Sequence, residues 1–141
     1  MYSNPNGLIF AVSKALGRKL DRRKYSDRLI MQKGCYLLNT WGYGPFYRYK
    51  LFIRGPYSSE LADDYYEVND LGETTSIPEE KIAELAKILE KGDRYVEAYA
   101  TVLLVKANNP GRTNEVIFNK AVDIEPKLIS EVKEACDSIL I

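Results

Sequence analysis

The chain has 141 residues, with 45% hydrophobic and 28% charged side chains, which is ordinary globular composition and enough length to bury a core without metals or disulfides. It contains no histidine and only two cysteines, Cys35 and Cys136, about a hundred positions apart, so His-based triads, Cys–His dyads, the usual zinc ligand sets and a disulfide framework are all excluded. The net charge of zero hides a division: residues 1–57 carry 11 Lys and Arg against 2 Asp and Glu, and residues 58–141 carry 9 against 18, which implies either an anionic partner for the basic part or, as a compact domain favours, acidic helices lying against basic ones.

The first residues, "MYSNPNGLIF", show no basic region leading into a long apolar one, and no apolar run reaches the roughly 20 residues that span a bilayer. A cytoplasmic protein without membrane association is expected. Leu8, Ile9, Val12, Ala15, Leu16 and Leu20 then recur at helical spacing, with Asn4 or Asn6 as cap and Pro5 setting the entry. A second helix is expected from Ser26 to Thr40, with Ser26 as N-cap and Asp27 in its first turn. Its broad apolar face, Leu29, Ile30, Tyr36, Leu37 and Leu38, makes it the central helix. Gln32 and Lys33 interrupt that face. If buried, each needs a hydrogen-bond partner, and the Gly55–Ser58 turn offers carbonyls and hydroxyls to pin against this helix.

Glycines and a proline in "WGYGPF" end the helix. In "FYRYKLFI", Tyr47, Tyr49, Leu51 and Ile53 alternate with Phe46, Arg48, Lys50 and Phe52, which predicts a strand. A lone strand is not viable, so "TWGYGPF", residues near Thr74 to Ile77 or another chain must pair with it. After Gly55-Pro56, Ser58 or Ser59 caps a helix with Leu61, Tyr65 and Val68 as its stripe. The best-marked helix is "SIPEEKIAELAKILEKG", with a Ser76–Glu79 capping box, Pro78 in the first turn and Gly92 as its stop. Asp93 caps a largely apolar helix, "RYVEAYATVLLVKAN", and two further helices, "RTNEVIFNKAV" and "EPKLISEVKEACDSILI", follow. The whole predicts a mainly α fold: a single domain over residues 1–141, of six to seven helices with one short β-hairpin or strand pair.

Chemistry-bearing clusters are few. Cys35 and Cys136 lie on apolar helix faces and read as buried, inert thiols. Glu60, Asp63, Asp64 and Glu67 could hold a hydrated Mg²⁺, but their helical spacing reads as a solvated acidic face. Asp123, Glu125 and Lys127 spell the E-x-K of one nuclease superfamily, yet that pattern needs a strand and Pro126 starts a helix here. No phosphate-cradling glycine loop occurs. No catalytic residues, metal or cofactor are expected. The basic residues Arg18, Lys19, Arg22, Arg23 and Lys24 can contact phosphates or form the polar seam between two helices. Trp41, Tyr43, Phe46, Tyr47, Arg48, Tyr49, Arg54, Tyr57 and Ser58 interleave aromatic and polar chemistry, which suits a protein-binding surface better than base stacking.

Two stretches, "DRLIMQKGCYLLNTWG" and "YRYKLFIRGPYSSELADDYY", together form a pattern: R-L-x-x-Q-K-x-x-Y-L, an aromatic strand, G-P-[YF]-S, then a helix with Leu and Asp. Arg28, Gln32, Lys33, Tyr36, Gly55, Pro56, Tyr57, Ser58, Leu61 and Asp64 carry it. The pattern resembles that of the prokaryotic YwgA-like proteins and, more distantly, the Panacea domain of SocA-like antitoxins. It spans roughly residues 26–66, under half the chain, and Gly34 and Cys35 stand where larger apolar residues are more usual. The resemblance implies a helical domain with a small β element in toxin–antitoxin or mobile-element settings, and no catalytic residues. The leading expectation is a non-catalytic interaction module, antitoxin-like, that binds and neutralises a partner protein. The alternative is a nucleic-acid-binding regulator using residues 18–28. A homo-oligomer is compatible with either.

Overall fold

A computed structural model describes residues 5–52, 55–67 and 75–140 of the chain. Among them are seven helices and one hairpin: α1 (Pro5–Leu16), α2 (Tyr25–Thr40), β1 (Lys50–Phe52), β2 (Gly55–Tyr57), α3 (Ser59–Glu67), α4 (Glu79–Leu89), α5 (Asp93–Asn108), α6 (Asn114–Ile124) and α7 (Ile129–Ile139). The fold is mainly α with one short antiparallel hairpin, as the sequence predicts. One apolar cluster draws buried side chains from all seven helices, among them Ile9, Leu37, Leu61, Leu85, Val102, Ile117 and Val132. The second helix shares the centre with α5, which packs on α2, α4, α6, α7 and β2.

The hairpin departs from the sequence expectation in two ways. Its first strand is three residues long rather than eight, and its partner is "GPY" itself: Lys50 lies opposite Tyr57, Leu51 opposite Pro56, and Phe52 opposite Gly55. Neither residues near Ile77 nor "TWGYGPF" supplies the partner edge, while Ile53 and residues 71–74 lie outside the described residues. Asn39 accounts for the shortened strand. Its Nδ2 donates to the carbonyls of Tyr43 and Pro45 at 2.7 and 2.9 Å, and its Oδ1 accepts from the Tyr47 N–H at 3.2 Å and the Tyr49 hydroxyl at 3.0 Å. These bonds hold the segment before β1 in an irregular path, so its alternating pattern never becomes a ladder.

Several helix starts also differ. The N-cap position of α2 is Lys24, with no side-chain cap bond; the Ser26 hydroxyl donates instead to Asp93 Oδ2 at 2.5 Å. The Ser76–Glu79 capping box does not form, because α4 begins at Glu79 after Pro78, and Glu79 pairs with Lys14 of α1. Asp93 is the first residue of α5 rather than its cap, the cap position being Gly92 at φ +100°. Asn6 lies inside α1, and Asn4 falls outside the described residues. For Ser26, Glu79 and Asp93 a long-range partner takes the polar side chain that local spacing assigned to a cap. Ser58 does cap α3: its Oγ accepts the Leu61 N–H at 3.1 Å.

Gly34 lets α1 and α2 approach. A Cβ built there would lie 2.7 and 2.9 Å from the two methyls of Val12, which is the physical reason for a small residue on this helix face.

Candidate functional site

The site is built from a polar pair on the apolar face of α2. Gln32 and Lys33 are 2% and 3% exposed, so both side chains must find partners inside the protein. They find them on the far side of the hairpin. Gln32 Nε2 donates to the Ser58 carbonyl at 2.9 Å, and Gln32 Oε1 accepts the Ser58 N–H at 2.8 Å. One side-chain amide thus satisfies both backbone groups of one residue, as a neighbouring strand would. Lys33 Nζ donates to the Pro56 carbonyl at 2.5 Å. With the Ser58 cap of α3, these bonds fix the strand end and the helix start to α2, as the sequence reading anticipates.

Gly55 closes the arrangement from above. Its φ is +88°, and a Cβ there would sit 2.4 Å from Thr101 Oγ1 of α5. Both the left-handed backbone and the close approach require glycine. Thr101 in turn donates to Glu125 Oε2 at 3.4 Å. Glu97 of α5 and Glu125, just beyond α6, are both buried at 4% exposure. Burial first, then the hydrogen bond and charge of Glu97, raise the Glu125 carboxyl to about 8, while Thr101 and the Lys33 ammonium oppose the rise. Burial beside Glu97 thus favours the protonated form of the Glu125 carboxyl at neutral pH. The sequence reading singles out neither Glu97 nor Thr101, and takes up Glu125 only within the E-x-K pattern that it sets aside. The available signal was a glutamate at position 97 inside an otherwise apolar run.

On the other side of Gln32 and Lys33 lies a pocket of about 210 Å³, lined by Tyr25, Arg28, Leu29, Gln32, Lys33, Tyr57, Tyr65 and Tyr66. Arg28, Gln32, Lys33 and Tyr57, which the sequence resemblance singles out, therefore meet in one cavity. Of the other residues carrying it, Tyr36 packs edge-on against Tyr49 at 4.8 Å between ring centroids. Asp64 is turned away from the pocket and accepts the Tyr47 hydroxyl at 2.6 Å.

The expected protein-binding set divides by exposure. Phe46 is 67% exposed, and exposed Arg48 reaches Glu60 at 3.5 Å. Trp41, Tyr43, Tyr47, Tyr49 and Tyr57 are half-buried and pack against the core. Lys81 lies over the Trp41 ring at 5.3 Å. Ser58 is fully buried, so it belongs to the hub and not to the surface. Arg54 lies outside the described residues. Two exposed residues beside this set, Leu51 and Phe52, at 44% and 54% exposure, complete the apolar surface of the hairpin.

The basic stretch is largely engaged within the fold. Arg18 forks onto the buried Asp27 at 2.7 and 2.9 Å. Arg22 donates to the Tyr65 carbonyl at 2.8 Å, Arg23 forks onto Asp21 at 3.1 and 3.2 Å, and Arg28 donates to the Arg22 carbonyl at 3.0 Å. Lys19 and Lys24 are exposed. In the acidic set of α3, Glu60 faces Arg48 and Asp64 faces Tyr47, and the Glu67 side chain lies outside the described residues. Among the described residues no three acidic or thiol groups converge on a metal position. Burial pushes the Cys35 and Cys136 thiols up, consistent with inert side chains.

Among the described residues no helix is long and apolar enough to cross a membrane. Comparison of the chain with protein-family models, with curated proteins and with solved structures finds no match.

Proposed function

We propose that the chain is a non-catalytic interaction module, antitoxin-like, that binds and neutralises a partner protein through its hairpin. The observation that carries this reading is the hairpin surface. Phe46, Leu51 and Phe52 are three of the six large apolar side chains exposed among the described residues, and they fall within seven positions. Clustered apolar exposure of this kind favours an interface. Every residue of β1 is exposed, and β1 pairs only with β2 among the described residues, so its outer edge is open to strand addition. The hub beneath holds the hairpin rigid, which lowers the ordering cost of binding. The antitoxin assignment rests on the sequence resemblance. A cytoplasmic setting fits two buried thiols that form no disulfide.

The test is co-expression with the product of the neighbouring gene. The two proteins are expected to co-purify, and the double change Leu51→Ser with Phe52→Ser should weaken binding by at least about tenfold, as for two interface anchors. Failure to bind that product or to rescue growth from it removes the reading. The rival reading, a nucleic-acid-binding regulator, is favoured by the exposed Lys19, Lys24 and Arg23. It predicts retardation of DNA or RNA that falls steeply with salt and with Arg22→Ala/Arg23→Ala. The internal acceptors held by Arg18, Arg22 and Arg28 leave that reading fewer free donors.

A further inference from the structure

The pocket beneath the hairpin has a chemistry that the partner-binding reading does not use. Four of its eight lining residues are tyrosines, and its two charged lining residues, Arg28 and Lys33, are both cationic. No carboxylate lines it. Lys33 is 3% exposed and its ammonium donates to the Pro56 carbonyl, so its charge reaches the pocket chiefly as a field. Arg28 differs. Its guanidinium donates to the Arg22 carbonyl and lies 5.7 Å from the Tyr25 ring centroid, yet no carboxylate pairs with it among the described residues. A second group points the same way. The Tyr65 side chain is 1% exposed; its hydroxyl accepts one long bond, 3.5 Å from Gln32 Nε2, and its own proton has no acceptor among the described residues. A buried donor without an acceptor is costly unless a ligand supplies one.

Size narrows the ligand. A volume of about 210 Å³ corresponds to roughly seven waters of the liquid and falls below the range typical of drug-sized ligands. It admits one ring and a short substituent. The exposed Tyr25 and Tyr66 walls, at 55% and 54% exposure, offer aromatic surface to such a ring.

We propose that this pocket is a binding site for a small aromatic carboxylate, its ring held among Tyr25, Tyr57 and Tyr66 and its carboxylate taken by the Arg28 guanidinium and the Tyr65 hydroxyl. The Arg28 contact is a charge-assisted hydrogen bond. This site shares Tyr57 with the hairpin but does not rest on the partner-binding reading.

The probes are phenylacetate, benzyl alcohol and phenethylamine, which share a ring and differ in charge, titrated into the full chain by NMR. Phenylacetate is expected to bind at least about tenfold tighter than the other two, with the largest shifts at Tyr25, Tyr65 and Tyr66. Arg28→Gln should bring phenylacetate down to the level of benzyl alcohol, and Arg28→Lys should restore part of the preference. Tyr66→Ala, which trims an exposed wall and leaves the core intact, should weaken all three probes. Phe46→Ser with Leu51→Ser should leave phenylacetate binding unchanged, which separates this site from the partner surface. Equal binding of the three probes, shifts located elsewhere, or a preference for the acid that survives Arg28→Gln overturns the proposal. Should Arg28→Gln not fold, failure of Tyr66→Ala to weaken phenylacetate overturns it equally.

Discussion

Gln32 and Lys33 show how much a pair of polar side chains can decide when both are buried. Gln32→Leu removes the partner of the Ser58 N–H and leaves it inside the protein, while the Ser58 carbonyl keeps the Ala62 N–H, so a loss of about 1–3 kcal/mol is expected in urea unfolding. Lys33→Met removes the charged donor that holds the Pro56 carbonyl and should cost about 1.5–3 kcal/mol. The Glu125 carboxyl carries a pH signature. Its folded value is raised to about 8, well above the ordinary carboxylate value near 4.3, so the folded state binds a proton that the unfolded state has released. Stability therefore falls as pH rises from about 4.3 to about 8 and levels off above. Glu125→Gln mimics the protonated group. The variant should match the natural chain in urea midpoint near pH 4 and exceed it at pH 8; a midpoint difference independent of pH would contradict a raised Glu125 carboxyl. Asp27 acts in the opposite sense. The hydrogen bonds from Arg18, against the cost of burial, hold its carboxyl below the usual range, so the stability it contributes is present at neutral pH and is lost as pH falls through its folded value.

Among the elements, the hairpin and the contact of α1 with α2 depend on two glycines for different reasons. Gly34→Ala drives a methyl into Val12 across the helix pair, with an expected cost of about 1–3 kcal/mol. At Gly55 an alanine meets both the left-handed backbone, about 1–2 kcal/mol, and the Thr101 hydroxyl, so Gly55→Ala should be the more damaging of the two in thermal unfolding. The helices themselves are legible in the sequence because apolar spacing reports a helix face directly. Their capping is not. Ser26, Glu79 and Asp93 each carry the chemistry of a cap and each is taken by a residue distant in sequence. The strand is legible as a strand but not in its length, because Asn39 gathers the preceding loop onto itself.

Across the whole molecule, the two charged halves meet at identifiable points. Lys14 of α1 pairs with Glu79 of α4, and Arg48 before the hairpin pairs with Glu60 of α3. At these two points acidic and basic elements lie against each other as expected, whereas Arg18 and Arg23 pair within the first half and Lys81, Lys91 and Arg94 within the second. Exposed Leu51 contributes little to the core and Phe52 only an edge-on contact with Tyr57, so Leu51→Ser should cost no more than about 0.5 kcal/mol and Phe52→Ser about 0.5–1.5 kcal/mol. A large loss of stability would show that the hairpin surface is structural and would remove its role as a free interface. The candidate site was half legible: Gln32, Lys33, Arg28 and the Gly55–Ser58 segment stand out as polar or backbone-breaking residues in apolar surroundings. Glu97, Thr101 and Glu125 did not, because nothing in local spacing brings α5 and the end of α6 under the same turn.

By itself the sequence determined the helical class, the number of helices, the presence of one short β element and the need of two buried polar side chains for partners, since all of these follow from spacing and from the cost of burying unpaired groups. Only the tertiary structure decided that "GPY" is a strand paired with Lys50–Phe52, that Glu125 is buried beside Glu97 and Thr101, and that Arg28 and Tyr65 open onto a common pocket. Those outcomes depend on which distant surfaces meet, and side chains far apart in the chain compete for the same partners only once the helices are packed.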